Sequence, residues 1–235
     1  MPPPPLILFD LDDTLCDYSG ARVGRLRYAY GEAFRRADVT VDDLDAVIAE
    51  SIAIGPHGSD HFPDLLARYG VADPAHAEEA RRWYHHNRFL GLELFPDARS
   101  VLSAVRDLPG VRAIGLLTNG PADVQRDKID LLDLRSLVDF AVISGEVGVE
   151  KPDPRIFEEA LRQGGATAGE AIYFGDSPEH DMDGARYAGI PRVWINAAAA
   201  PWPLETPAPE MEIATIAEAP TLLTAYRRTG ALHDR

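Results

Sequence analysis

Leu6-Ile7-Leu8-Phe9-Asp10-Leu11-Asp12-Asp13-Thr14 is the stretch on which this chain turns: four apolar residues run straight into two carboxylates two positions apart. A β-strand puts residues i and i+2 on one face. The run therefore predicts a buried strand from which Asp10 and Asp12 project side by side, while Asp13 points elsewhere. Two carboxylates held that close repel, and need a cation or a shared proton. A fold keeps such a pair mainly where chemistry uses it.

Outward from this stretch, further short apolar runs bounded by turn residues recur at 113–117, 140–143, 171–174 and 192–195. Between the later ones lie stripes at helical spacing: Val101, Leu102, Val105 and Leu108; Val124, Ile129 and Leu132; Ile156, Phe157, Ala160 and Leu161. Strands alternating with helices predict an α/β protein, a parallel sheet with helices on both faces. From about residue 18 to 94 the pattern is helical throughout, too long for one crossover. Helices are expected at 23–37, 41–54, 61–69 and 75–89, with breaks at Gly20, Pro56-His57-Gly58, Gly70 and Asp73-Pro74. The expected division is a core over 1–17 and 95–235 with a helical subdomain inserted over 18–94. After Asn196 an Ala/Pro-rich loop, a weak strand at 212–214 and a last amphipathic helix at about 218–229 are expected.

The 235 residues carry a formal net charge of −15, so no basic surplus exists to neutralise the phosphates of a nucleic-acid polymer or an anionic membrane. A small phosphorylated substrate stays compatible, because one site can be positive on an acidic protein. A single cysteine, Cys16, precludes an internal disulfide and fits a reducing compartment. No apolar run approaches the ~20 residues of a membrane helix. The opening M-P-P-P-P lacks the features of a secretory leader. A soluble, cytoplasmic protein is expected, with monomer and homodimer both open.

Four polar clusters fall at the C-terminal ends of expected strands: Asp10 to Thr14; Thr118-Asn119-Gly120, with Pro121 opening a helix; Lys151, ahead of the Phe157 helix; and Asp176 with Asp181. Ligands of open parallel sheets bind beyond that edge, at the switch in strand order, so the four would converge. Asp10, Asp12 and Asp176 are hard oxygen donors suited to Mg²⁺. The Thr118 hydroxyl, backbone N–H groups at a helix start and a lysine suit a phosphate. One carboxylate can form an acyl phosphate, and a second can protonate the leaving alcohol and later deprotonate water. Taken singly, each cluster has an ordinary reading as a turn, a helix cap or a surface lysine. Their joint order carries the argument.

On the motifs D-L-D-D-T (10–14), L-L-T-N-G (116–120), E-V-G-V-E-K-P (146–152) and G-D-S-P-E-H-D (175–181), the chain resembles the haloacid dehalogenase superfamily of hydrolases. The resemblance spans most of residues 6–195 and is faint in the helical insert. It implies a Rossmann-like sheet in the order 3-2-1-4-5 with a helical cap inserted after the first strand. It also implies Asp10 as nucleophile, Asp12 as general acid/base, and Thr118 and Asn119 as phosphoryl ligands. Lys151 would steady the phosphoryl group and Asp10. Mg²⁺ would be held by Asp10, Asp176 and the Asp12 backbone carbonyl, with Asp181 acting on a metal-bound water or on Lys151. In the family pattern, dehalogenases lack an acid at position 12, since a halide needs no proton and an alkoxide does. Asp12 therefore favours phosphate ester hydrolysis. The phosphoglucomutase-like members carry Gly where this chain has Asp13. The phrasing of the motifs is most similar to the nucleotidase and sialic-acid-phosphate phosphatase branch, from which His180 departs where Asn is usual. The expected function is a Mg²⁺-dependent phosphomonoester hydrolase acting on a small nucleotide or sugar phosphate through an aspartyl-phosphate. The rivals are a 2-haloacid dehalogenase or sugar-phosphate mutase of the same fold, and a non-catalytic binding or regulatory module.

Other polar residues read as structural. His57 and His61 have metal-ligand spacing, but Pro56 and Gly58 interrupt it and no third ligand is evident. His85-His86 reads as surface plus partial core. The basic stretch Arg22, Arg25, Arg27, Arg35 and Arg36 reads as surface ion pairing, one member being able to meet an anionic substrate. Cys16 reads as packing, and Asp183 as a first-turn helix acid.

Overall fold

The computed structural model describes residues 5–55, 58–203 and 205–229; His57 of the expected histidine pair lies outside them. The apolar runs form six strands: β1 (Leu6–Phe9), β2 (Ala113–Thr118), β3 (Phe140–Ile143), β4 (Ala171–Gly175), β5 (Arg192–Ile195) and β6 (Met211–Ile213). They pair in parallel throughout, in the order β3-β2-β1-β4-β5-β6. The expected order 3-2-1-4-5 is present, extended by the weak strand near residue 212 as a sixth, edge member. β1 is fully buried on both faces, as a central parallel strand covered by helices must be.

Within the sheet-bearing unit, helices bury apolar stripes against the strands. α8 (Pro154–Gly164) is capped by Asp153, whose carboxylate accepts the Arg155 N–H at 2.9 Å. It buries Ile156, Phe157 and Ala160 against Leu6, Leu8, Leu117 and Tyr173. On the other face α5 (Ala98–Arg106) buries Val101, Leu102 and Val105 and packs with α10 (Ala219–Thr229). Between them along the chain lie α6 (Ala122–Leu131), the short α7 (Ser144–Val147) and α9 (Asp183–Tyr187).

The chain divides into two compact units, Met1–Asp17 with Leu94–Arg235 and Tyr18–Glu93. The second holds four helices, α1 (Tyr18–Arg36), α2 (Leu44–Ile54), α3 (Phe62–Arg68) and α4 (Pro74–His86). Asp43 and Asp73 cap α2 and α4 through backbone N–H groups at 2.9 Å. Leu26, Tyr30, Phe62, Leu65, Leu66 and Tyr84 form its core. Two expectations are corrected here. Gly20, read as a break, lies inside the first turn of α1, where a glycine weakens little because few intrahelical bonds depend on it. His85 and His86, read as partly buried, are both exposed at the C-terminal end of α4.

Candidate active site

Register sets the geometry. Phe9 of β1 pairs with Leu116 of β2 on one side and Phe174 of β4 on the other, so the three central strands end at one level. Strand pairing of β1 stops at Phe9, one residue before the first acid. The Asp10 N–H still donates to the Phe174 carbonyl at 2.9 Å, whereas Asp12 makes only an isolated bridge to Cys16. Strand alternation therefore does not place Asp10 and Asp12 as the sequence reading expects: both acids follow the strand, and each has its own lysine.

Asp10 is buried and takes Lys151 Nζ at 2.5 Å. Lys151 comes from the turn between α7 and α8 and is itself 4% exposed. Its ammonium nitrogen lies within hydrogen-bond reach of Asp10, of Asp181 Oδ1 at 2.6 Å and of the Tyr173 hydroxyl at 3.2 Å. Tyr173 in turn donates to Asp181 at 2.7 Å. Asp181 sits in a single π turn, Pro178–Met182, where its other oxygen accepts the Ser177 N–H at 3.0 Å. A side chain on Gly175 would lie 2.5 Å from the Asp181 carboxyl, so the glycine is what lets this acid come under the end of β4.

Asp176, just past β4, completes a cluster. Oxygens of Asp10, Asp176 and Asp181 all lie within 4.8 Å of one another. Burial raises the Asp10 carboxyl well above the ordinary carboxylate range, with Asp181 and Asp176 adding to the rise and Lys151 opposing it. Burial, then Asp181 and Asp13, push Asp176 up to about 7. Burial works against the Lys151 ammonium, but Asp10 and Asp181 outweigh it and hold that group charged. Three acids against one lysine leave an excess of negative charge that a hard cation would neutralise, and the donor set fits one.

Asn119 ends the strand-2 cluster with a reciprocal clamp: its amide donates to the Lys151 carbonyl at 3.0 Å and accepts the Lys151 N–H at 2.8 Å. Thr118 Oγ1, buried, accepts Gln125 Nε2 at 2.6 Å. The same amide reaches Asp12 Oδ2 at 3.1 Å, and Lys128 Nζ contacts both Asp12 oxygens at 2.7 and 2.8 Å. Gln125, Lys128 and Tyr173 contact the candidate-site acids and were missed by the sequence reading. The i, i+3 spacing of Gln125 and Lys128, following Thr-Asn-Gly-Pro on α6, is the signal that could have found the first two.

Cys16 is buried beside the site, its Sγ 3.7 Å from Asp12 Oδ1, and burial raises its thiol, in keeping with a packing role. Asp183 pairs with Arg186 within α9 at 3.1 Å. His180 is exposed and bonds Ser177. In the helical unit Arg27, Arg35 and Arg36 form the expected surface ion pairs with Asp45, Glu32 and Glu79. Arg22 and Arg25 are corrections. Both are buried; Arg22 donates to the Gly55 carbonyl, and Arg25 donates to the Leu90 carbonyl at 3.2 Å and lies against the rings of Tyr18 and Tyr84. His61 bonds Ser51 at 2.7 Å. Among the described residues no helix is long and apolar enough to cross a membrane.

A family model for haloacid dehalogenase-like hydrolases matches residues 4–189. The chain is 36% identical over 195 residues to a glyceraldehyde 3-phosphate phosphatase of Methanopyrus kandleri, covering 80% of this chain and 82% of that one. It is 30% identical to the human N-acylneuraminate-9-phosphatase, covering 92% of each. A 2-haloacid dehalogenase structure from Pseudomonas syringae matches with a TM-score of 0.61 at 30% identity, over 94% of this chain and 98% of that one.

Proposed function

The chain belongs to the haloacid dehalogenase-like hydrolases, and on that premise we propose that it is a magnesium-dependent phosphomonoester hydrolase of small phosphorylated metabolites. The observation that carries the reading is the convergence of Asp10, Asp176 and Asp181 with Lys151 locked between two of them. Asp10 attacks phosphorus, an acyl phosphate forms on its carboxylate, and the bond from phosphorus to the leaving oxygen breaks as Asp12 delivers a proton to that oxygen. Asp12 then takes a proton from water, which attacks the acyl phosphate, releases inorganic phosphate and restores Asp10. Thr118 and Lys151 bind the phosphoryl oxygens, and Asn119 serves that site by holding Lys151 in place. Mg²⁺ would be held by Asp10, Asp176 and the Asp12 carbonyl, where it supplies charge neutralisation between the acids and the phosphoryl group. Asp181 acts on Lys151 or on a water of the ion.

A cytoplasmic enzyme with a core over 1–17 and 95–235, and a helical cap over 18–94 that selects the substrate, belongs to the same proposal. The relatives act on glyceraldehyde 3-phosphate and on an N-acylneuraminate 9-phosphate by name, which supports the sugar-phosphate half of the expected nucleotide-or-sugar-phosphate class. Release of phosphate from p-nitrophenyl phosphate should require Mg²⁺ and should vanish in Asp10→Asn; an Asp10→Asn enzyme with full turnover would sink the assignment. The dehalogenase reading is favoured by the 30% identical dehalogenase structure, and Asp12 speaks against it. Chloride release from 2-chloropropionate would reinstate it.

A further inference from the structure

We infer that Lys128 and Gln125 are positioning residues for Asp12, and that together they aim its carboxylate at the leaving oxygen; this rests on the reading of Asp12 as the acid/base. Strand pairing ends at Phe9, and Asp12 lies in the turn that follows, tied by an isolated bridge to Cys16, whose Sγ reaches Asp12 Oδ1 at 3.7 Å. The ammonium and amide contacts to its carboxylate come from α6. Lys128 Nζ touches both oxygens at 2.7 and 2.8 Å, and Gln125 Nε2 touches the second at 3.1 Å. Contact to both oxygens fixes the plane of the carboxylate as well as its position, which a single hydrogen bond would leave free.

The burial is uneven in an informative way. The Lys128 side chain is 5% exposed and that of Asp12 is 23%. A lysine stem drawn out of water to meet a partly open acid is an unfavourable arrangement for surface pairing, where both partners stay hydrated. It suits an acid that must keep one lobe open to a reacting atom while the rest is held. Gln125 adds a second link. Its amide faces Thr118 Oγ1 at 2.6 Å and the Asn119 carbonyl at 2.6 Å as well as Asp12, two hydrogens among three oxygens. The phosphoryl-binding hydroxyl and the proton-transferring acid thus share one partner, so their separation is held by α6. In the first half-reaction the new bond joins Asp10 oxygen to phosphorus. The old phosphorus–oxygen bond breaks, and the departing electron pair takes the proton from Asp12. In this half-reaction, misaiming Asp12 penalises only leaving groups that need that proton.

The test compares kcat/KM across alkyl and aryl phosphates of graded leaving-group pKa, in the Mg²⁺-loaded full chain and its variants. Because kcat/KM ends at the first irreversible step, it reports departure of the alcohol and excludes the later hydrolysis. Lys128→Met should lower kcat/KM for alkyl phosphates by ~10-fold or more while changing p-nitrophenyl phosphate by less than ~3-fold, a partial version of the steepening in Asp12→Asn. Lys128→Gln, which keeps a donor, should recover part of the alkyl rate. It also carries the test if the methionine variant does not fold. Equal losses on all leaving groups in both Lys128 variants, with Asp12→Asn still steepened, would overturn the positioning role and leave the hydrolase reading intact. No steepening in Asp12→Asn would overturn the acid assignment itself, and the positioning role with it.

Discussion

Both units of this chain bury cations, and they use them in opposite ways. At the end of the sheet Lys151 and Lys128 are 4% exposed and each meets carboxylate oxygens at 2.5–2.8 Å. In the helical unit Arg22 and Arg25 are 5% and 3% exposed, and their contacts include the carbonyls of Gly55 and Leu90 and the faces of Tyr18 and Tyr84. The lysines bring charge to charge, an arrangement that stores negative groups close together. The arginine contacts satisfy backbone ends and fill space between aromatic rings, as a guanidinium does well. Burial alone thus does not mark a functional cation; the nature of its partner does.

The largest test of that contrast is Lys151→Met. It leaves Asp10 and Asp181 buried without their cation, so phosphatase turnover should fall by ~10³-fold. In metal-free protein, urea unfolding should show a loss of about 3–5 kcal/mol. A variant of native stability would mean the acids pair by sharing a proton instead. Gly175→Ala comes next: the added methyl meets the Asp181 carboxyl at 2.5 Å, must displace it from Lys151, and should lower kcat by about 10-fold with a smaller change in KM.

The pH dependence of metal binding sharpens the same point. Asp176 is raised to about 7, chiefly by burial. Between the ordinary carboxylate value and 7, native metal-free protein holds a proton that the unfolded chain has lost, so its stability falls as pH rises through that window. Mg²⁺ needs the carboxylate, so its affinity should rise by up to ~10-fold per pH unit as Asp176 loses its proton. Calorimetric titration at pH 6 and pH 8 reads this directly, and a flat profile would contradict it. The smallest effect is expected for Arg25→Met, which should cost the protein about 1–3 kcal/mol while p-nitrophenyl phosphate turnover stays within ~2-fold. A large loss of turnover at unchanged stability would make Arg25 a functional group and erase the contrast.

What the residues reveal in one dimension follows the same divide. The five strands from Leu6 to Ile195 are legible because each is a short apolar run stopped by Gly, Asn, Asp or Ser, and a parallel sheet needs such runs. Asp10, Thr118 and Asp176 are legible because each ends or directly follows a strand that register brings level, whereas Lys151 lies beyond α7 and is legible only through its motif. Lys128 and Gln125 are not, because polar residues three apart on a helix look like a solvent face until the sheet edge is known to lie beneath them. The close approach of Asp181 depends on a π turn and on the missing side chain of Gly175, neither of which has a periodic signature. Arg22 and Arg25 sit in a run of arginines whose other members are on the surface, so only the packing of α1 separates them.

One small contact carries a consequence for how such a protein diversifies. Cys16 and Leu94 form an antiparallel bridge, and the Phe95 N–H donates to the Leu15 carbonyl at 2.9 Å. The polypeptide therefore departs from and rejoins the sheet-bearing unit through neighbouring points, a doorway only two backbones wide. Any segment whose own ends meet could be spliced through that doorway without disturbing the strands on either side. Recombination has here a modular slot in which the inserted unit can be exchanged wholesale while the sheet-bearing unit is inherited unchanged.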